Sequence, residues 1–255
     1  MIIIITFFLG AIVGSFLNVC IYRIPREISI VRPGSFCPHC NKPVGVFHNI
    51  PIVSYLILRG KCSSCSASIS WRYPAVEIIA ALMTLGTLGH FGFSLEGAAF
   101  LILFYLLIVI AFIDLEHLII PDSLLLFCLG AWGLLIFKYP SWLSFYETVV
   151  GSVVFGGFLY MAGFLGKLLF KKEALGFGDI KLGFVLGAFL GWQLVVVSLY
   201  GAFFLAAIFA VMGLLIKKMK FGQMIPFGPF LILGSLVAIF LGDWITNLFL
   251  QWITV

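Results

Sequence analysis

Apolar residues run along this chain in long unbroken stretches, separated by short clusters of polar residues, glycine and proline. The stretches lie near residues 2–22, 75–93, 97–113, 119–137, 145–169, 180–191, 193–216 and 229–250. None alternates apolar with polar positions, so the pattern is helical and not that of strands. Most approach the roughly 20 residues that a helix needs to cross a hydrocarbon core about 30 Å thick. In lipid every backbone N–H and C=O must be satisfied within its own segment, which again selects helices. The pattern predicts an all-α integral membrane protein of about eight transmembrane helices. The sixth stretch is short and contains glycine, with Trp192 and Gln193 after it. It reads either as a half-span or as continuous with the seventh.

Composition points the same way. Of 255 residues, 63% are hydrophobic and 10% charged, against about 25% charged in soluble domains. No basic residues precede the first apolar stretch and no small-residue cleavage site follows it. It is therefore expected to be a retained span and not a removed signal peptide. The formal charge of +5 is explained by its distribution, because basic loop residues mark the cytoplasmic side of a membrane protein. With residues 23–72 inside and alternating crossings after them, Arg23, Arg26, Arg32, Lys42, Arg59, Lys61, Arg72, Lys167, Lys171, Lys172, Lys181, Lys217, Lys218 and Lys220 all fall inside. Lys138 alone of the 15 basic residues falls outside. This partition predicts both termini outside and gives no reason to expect a nucleic-acid partner.

The expected organisation is a first helix over 1–22, a cytoplasmic four-cysteine segment over 23–74, and a seven-helix membrane region over 75–255. The middle segment is too short to build a large apolar core, and domains of that size usually need a staple. Cys37-Pro38-His39-Cys40 and Cys62-Ser63-Ser64-Cys65, separated by 21 residues, supply one. Two Cys-x-x-Cys pairs at this spacing fit a tetrahedral zinc site in which each pair forms a knuckle. Disulfides are disfavoured in a reducing cytoplasm, and Lys42 and Lys61 favour thiolates; free thiols and a redox role stay open. His39 competes for a place in the shell, but four cysteines already complete it. Cys20 and Cys128 lie inside apolar stretches and read as small packing residues.

An ionisable group near membrane depth is a functional candidate, and two settings stand out among the 10 acidic residues. One is Asp114-Leu115-Glu116-His117, followed by Leu118-Ile119-Ile120-Pro121-Asp122, where the third stretch meets the fourth. The other is Gly176-Phe177-Gly178-Asp179-Ile180-Lys181, at the start of the sixth. The charge partition puts both on the cytoplasmic side. Helix capping is the competing explanation: Asp122 follows Pro121 before a leucine run, as an N-cap does, and Asp179 could cap the sixth span with Gly178 permitting the turn. Asp114 ends its span, where a negative charge opposes the helix dipole. Two carboxylates brought together there share one proton, so one activates a water while the other donates to the scissile amide. Spacing alone leaves open whether Asp114 and Asp179 meet.

The residues also resemble a known family. Gly14-Ser15-Phe16-Leu17-Asn18-Val19, Ile21-Tyr22-Arg23-Ile24-Pro25, both cysteine pairs, Asn49-Ile50-Pro51 and Leu58-Arg59-Gly60-Lys61-Cys62 occur in order. Arg72-Tyr73-Pro74, Asp114 through Asp122, Gly176 through Leu182, and Ile225-Pro226-Phe227-Gly228-Pro229-Phe230-Leu231 follow. Over nearly its whole length the chain resembles the bacterial prepilin peptidases, or type IV leader peptidases. The resemblance implies an aspartyl endopeptidase that removes a short basic leader from prepilins and pseudopilins after a glycine. It maps the catalytic pair onto Asp114 and Asp179 and associates the cysteine segment, Cys37, Cys40, Cys62 and Cys65, with zinc. It further implies N-methylation of the new N-terminus with S-adenosylmethionine as methyl donor, an inner-membrane location, and a substrate whose apolar helix docks against the spans. One departure is His48, where many relatives carry glutamate before Asn-Ile-Pro.

Two other readings compete. A Gly-x-Gly-Asp aspartyl protease with another substrate class keeps the chemistry but does not account for the cysteine pairs or Arg72-Tyr73-Pro74. A cation-coupled transporter would want acids at mid-membrane depth and inverted repeats. Smaller features are Gly10-x-x-x-Gly14, a close-packing motif; Asn18, a polar residue expected to bond to a neighbouring helix; Glu77, favourable near a helix N-terminus; and Ile225-Pro226-Phe227-Gly228-Pro229, a turn admitting the last span and a candidate for the active-site floor.

Overall fold

The computed structural model describes residues 2–138, 144–171, 175–220, 223 and 225–253; Lys172, counted above among the inside charges, lies outside them. Eight α-helices are seen among these residues: α1 (Ile2–Arg23), α2 (Val53–Ile57), α3 (Arg72–Phe91), α4 (Leu95–His117), α5 (Asp122–Lys138), α6 (Phe145–Phe170), α7 (Phe177–Leu215) and α8 (Gly228–Ile253). No strand is present among them; two isolated antiparallel bridges, Phe36 with Pro43 and Lys61 with Ser68, are the extended pairings. Five helices, α1, α3, α4, α6 and α7, are long and apolar enough to cross a membrane, and shorter apolar runs occupy Asp122–Gly133 and Gly228–Gly242. The eight crossings expected from the pattern are thus not matched one for one.

Two of the expected spans, the fourth and the eighth, correspond to the shorter apolar runs in α5 and α8, and α7 takes in both the sixth and the seventh. Its 39 residues would reach about 58 Å if straight, nearly twice the hydrocarbon thickness. The helix is broken at Gly191, whose φ of 66° and ψ of 165° are non-helical. Glycine accepts that conformation without a Cβ penalty. The expected boundary between residues 191 and 193 coincides with this break.

The chain divides into two compact units, Met1–Val109 and Ile110–Val255, with the division falling inside α4. In the first, α1 packs on α3 through Gly10 and Gly14. A Cβ on either would lie 2.7 Å from the Cα of Ala81 or of Glu77 respectively. Asn18 is buried, and its Nδ2 donates to the carbonyl of Tyr73 at 3.0 Å, the interhelical bond expected of it. Pro25 stops α1 in a short 3-10 turn over Ile24–Arg26. The buried Arg23 then turns the chain back, donating from Nη1 to the Ser29 carbonyl at 2.8 Å and from Nη2 to that of Gly34 at 3.0 Å.

In the second unit α7 is central, with α6 and α8 against it and α5 beside it. Ser144 caps α6: its hydroxyl accepts from the Glu147 N–H at 3.2 Å while Glu147 accepts from the Ser144 N–H at 2.9 Å, a reciprocal capping box. Helices α6 and α7 meet through backbone, since a Cβ on Gly187 would lie 2.8 Å from the carbonyl carbon of Gly151. On the other side of α7, the buried hydroxyls of Ser198 and Ser235 are 2.9 Å apart.

Candidate active site and cysteine cluster

Helix α4 does not stop at Asp114, as the pattern suggested, but runs on to His117. Asp114 therefore lies one turn inside its end, buried at 5% exposure. The turn closes at Leu118, whose N–H bonds the Asp114 carbonyl at 2.9 Å with φ at 56°, a left-handed position usually filled by glycine. Asp179 is at 8% exposure in the first turn of α7, three residues after its N-cap Gly176. Its Oδ2 accepts from the Gly176 N–H at 3.3 Å. The N-cap is thus Gly176 and not Asp179, which instead holds the N-cap N–H from the third helical position, where an acid also meets the positive end of the helix dipole.

The two aspartates converge. Their carboxyl groups are within electrostatic reach of each other, and the backbone N–H of Gly228 faces both. That amide donates to Asp114 Oδ2 at 3.1 Å. The Ile225–Pro229 turn, expected to admit the last span, thus also brings the Gly228 amide to Asp114. A Cβ on Gly228 would lie 2.8 Å from Asp114 Oδ2, so any side chain there displaces the carboxylate or the backbone. The other oxygen of Asp179, Oδ1, is buried and has no hydrogen-bond partner among the described residues. A buried acceptor left open in this way costs free energy unless a water or ligand group fills it.

Asp122 is the first residue of α5 and sits 59 positions before its partner: its carboxylate takes the ammonium of Lys181. The cap of α5 is instead Pro121, whose carbonyl accepts from the Leu124 N–H at 3.1 Å. Gly178 has no positive φ; its small size serves packing, since a Cβ there would lie 3.1 Å from Ile120 Cβ. Ile120 had no signal in the sequence beyond one apolar residue in an apolar run.

In the first unit, Cys37, Cys40, Cys62 and Cys65 bring their sulfurs within 4.8 Å of one another. The Sγ atoms of Cys37 and Cys65 are 3.9 Å apart, against about 3.8 Å between ligands of a tetrahedral ion with bonds of roughly 2.3 Å. The donor set and spacing fit zinc, and all four are free thiols. The two pairs repeat one turn. Cys37 N–H bonds the Lys42 carbonyl at 3.0 Å and Asn41 N–H the Cys37 carbonyl at 2.8 Å; Cys62 N–H bonds that of Ala67 and Ser66 N–H that of Cys62, both at 2.9 Å. Asn41 and Ser66, at φ of 56° and 58°, occupy the same left-handed place in each knuckle. The N–H groups of Ser64 and then Cys65 pull the Cys62 thiol down, while Cys65 is pushed the opposite way, so the crowded sulfurs ionise as a set and not one by one. His39 is exposed and outside the cluster, and Cys20 and Cys128 are buried packers, as expected.

Glu77 has more to do than meet a helix dipole. Buried at 7% exposure, it accepts the Ile52 N–H at 2.7 Å and the Ser15 hydroxyl. It thereby fastens the Asn49-Ile50-Pro51 stretch to α1 and α3. Ile52 there has φ of 64° and ψ of −51°, a γ-turn that a β-branched residue adopts only under constraint.

Two family models match the chain. The bacterial peptidase A24 N-terminal domain covers residues 8–91, and the type IV leader peptidase family covers residues 101–211. A prepilin leader peptidase/N-methyltransferase of Stutzerimonas stutzeri is 38% identical over 95% of this chain and 92% of its own length. Proteins of the same description from Pseudomonas aeruginosa and Aeromonas hydrophila are 36% and 35% identical, each over 96% of this chain and 92% of their own. No solved structure matches.

Proposed function

The chain belongs to the type IV leader peptidase family, and from that membership we propose that it is a multi-pass inner-membrane aspartyl endopeptidase that cuts the leader from type IV prepilins and pseudopilins after a glycine and then N-methylates the new N-terminus. Asp114 and Asp179 are the catalytic pair. The observation that carries this is their convergence: two buried acids 65 positions apart in sequence lie under one backbone amide, that of Gly228.

The chemistry follows from the arrangement. One proton is shared by the pair, because two adjacent carboxyls do not both ionise cheaply. The ionised member takes a proton from water, the water oxygen bonds to the scissile carbonyl carbon, and the protonated member donates to the carbonyl oxygen. Collapse of the tetrahedral intermediate breaks the C–N bond and sends a proton to the leaving amine. The open Oδ1 of Asp179 is suited to hold the water, while the Gly228 N–H keeps Asp114 from rotating away. Burial of both carboxyls excludes bulk water and strengthens their action on the amide.

The fourteen basic residues that share one side under the charge partition support a cytoplasmic position for the site and for the cysteine segment 23–74, with the protease in 75–255. Zinc on Cys37, Cys40, Cys62 and Cys65 would cross-link the two knuckles, the staple that so short a segment needs. Methylation consumes S-adenosylmethionine as a substrate.

The test uses purified chain in detergent with a prepilin. Wild type should release the leader, and Asp114→Asn and Asp179→Asn should not. Undiminished cleavage by either variant removes the dyad. Labelled methyl donor with pre-cleaved pilin tests the second activity, which both variants should retain.

A further inference from the structure

The loop from Leu118 to Asp122 joins α4 to α5, but its contacts reach the two elements that frame the dyad. Its first end is continuous with the helix carrying Asp114 and is pinned by the bond from Leu118 N–H to the Asp114 carbonyl, 2.9 Å. Its last residue, Asp122, is ion-paired to Lys181, two positions after Asp179 on α7. The Lys181 ammonium is itself held 5.4 Å from the ring centroid of Phe177. Between these fastenings stands Ile120. A Cβ on Gly178 would lie 3.1 Å from its Cβ, and one on Gly228 3.3 Å from its Cδ1. One side chain thus lies against the residue preceding Asp179 and against the residue whose amide holds Asp114.

Resting on the assignment of Asp114 and Asp179 as the catalytic pair, we infer that residues 118–122 act as a strut that sets the separation of the two carboxyls, with Ile120 as its spacer and the Asp122–Lys181 pair as its fastening to α7. Ile120, Asp122 and Lys181 are positioning residues and do not touch the scissile bond. The backbone suits the role. Leu118 is locked in a left-handed turn, and Pro121 fixes its own φ. Glycine at 178 and at 228 lets the isoleucine approach both arms without an intervening Cβ. An exposed ion pair contributes little to global stability, so its removal acts on geometry and leaves the protein folded.

The experiment measures kcat, KM and the pH profile of prepilin cleavage for Ile120→Ala, Ile120→Val, Asp122→Lys, Lys181→Asp and the Asp122→Lys/Lys181→Asp double variant. Each should be monodisperse in detergent with wild-type zinc content. Ile120→Ala should lower kcat by roughly 10- to 100-fold, the scale of a small misplacement of reacting groups, with KM unchanged. Its pH bell should narrow, because carboxyls held less closely share a proton less strongly. Ile120→Val should keep most of the activity. Each single charge reversal should lower kcat, and the double reversal should restore it.

Wild-type kcat and bell width in Ile120→Ala would overturn the strut, as would a change confined to KM, which marks a substrate contact. So would a double reversal no better than the worse single variant, and this arm stands even where Ile120→Ala does not fold. Full cleavage by Asp114→Asn or Asp179→Asn is a different failure, that of the dyad itself.

Discussion

The amide of Gly228 donates to the carboxylate of Asp114 across 3.1 Å and 114 positions of sequence. A Cβ on residue 228 would fall 2.8 Å from Asp114 Oδ2 and 3.3 Å from Ile120 Cδ1. Gly228→Ala must therefore push the carboxylate aside or move the start of α8. Because misplacing a reacting group by about 1 Å can cost roughly 100-fold, kcat for prepilin cleavage should fall on that scale while KM holds. Steady-state kinetics on purified Gly228→Ala checks this, and unchanged kcat would show that the amide does not position the acid.

Cleavage should follow a bell-shaped pH profile. At high pH the pair loses its shared proton and with it the general acid; at low pH it gains a second and loses the general base. Both limbs belong to the pair, so neither can be assigned to one aspartate. Measurement of kcat/KM across pH on a leader-bearing substrate should give two limbs, and a profile flat across the range would remove proton sharing from the mechanism.

The cysteine cluster makes a separable prediction. Purified protein should carry about one zinc per chain, held by thiolates. Cys62→Ser and strong chelation should both release it, since each removes a requirement of the tetrahedral shell. The segment between α1 and α3 should then become sensitive to limited proteolysis, because the metal replaces the core that so few residues cannot form. Elemental analysis with a proteolysis time course reads both, and a metal-free protein with a protease-resistant segment would refute the staple.

Packing of α6 on α7 depends on backbone contact at Gly151 and Gly187. Gly187→Val places two methyls where the carbonyl carbon of Gly151 already lies 2.8 Å from a Cβ. Overpacking typically costs 1–3 kcal/mol, and with backbone as the obstacle the loss should reach about 3 kcal/mol. Gly157, also on α6, has nothing within 4 Å of a Cβ, so Gly157→Ala should be neutral or slightly stabilising. Thermal unfolding in detergent distinguishes the two, and equal melting temperatures would deny the close contact.

Much of this protein is local and could be read directly from its residues. Apolar runs dictate helices, because lipid leaves the backbone no other partner. Each Cys-x-x-Cys carries its own turn, so both knuckles were legible. Asp114 and Asp179 stood out because an acid beside an apolar run needs a reason. Even the interruption of α7 at Gly191 was visible as an uncertain boundary between two spans.

What the residues left open were contacts between distant positions, and these only the tertiary structure decided. Whether Asp114 meets Asp179 depends on how α4, α7 and α8 pack, and packing is set by side-chain volumes that sequence spacing does not record. Asp122 could be read as a cap because caps are local; its pairing with Lys181 spans 59 positions. Gly228 and Ile120 looked like ordinary turn and apolar residues, and they acquire their roles from what three-dimensional proximity places against them. Helices follow from the near-neighbour physics of the backbone, whereas a catalytic site is a coincidence of remote segments that only the folded chain brings about.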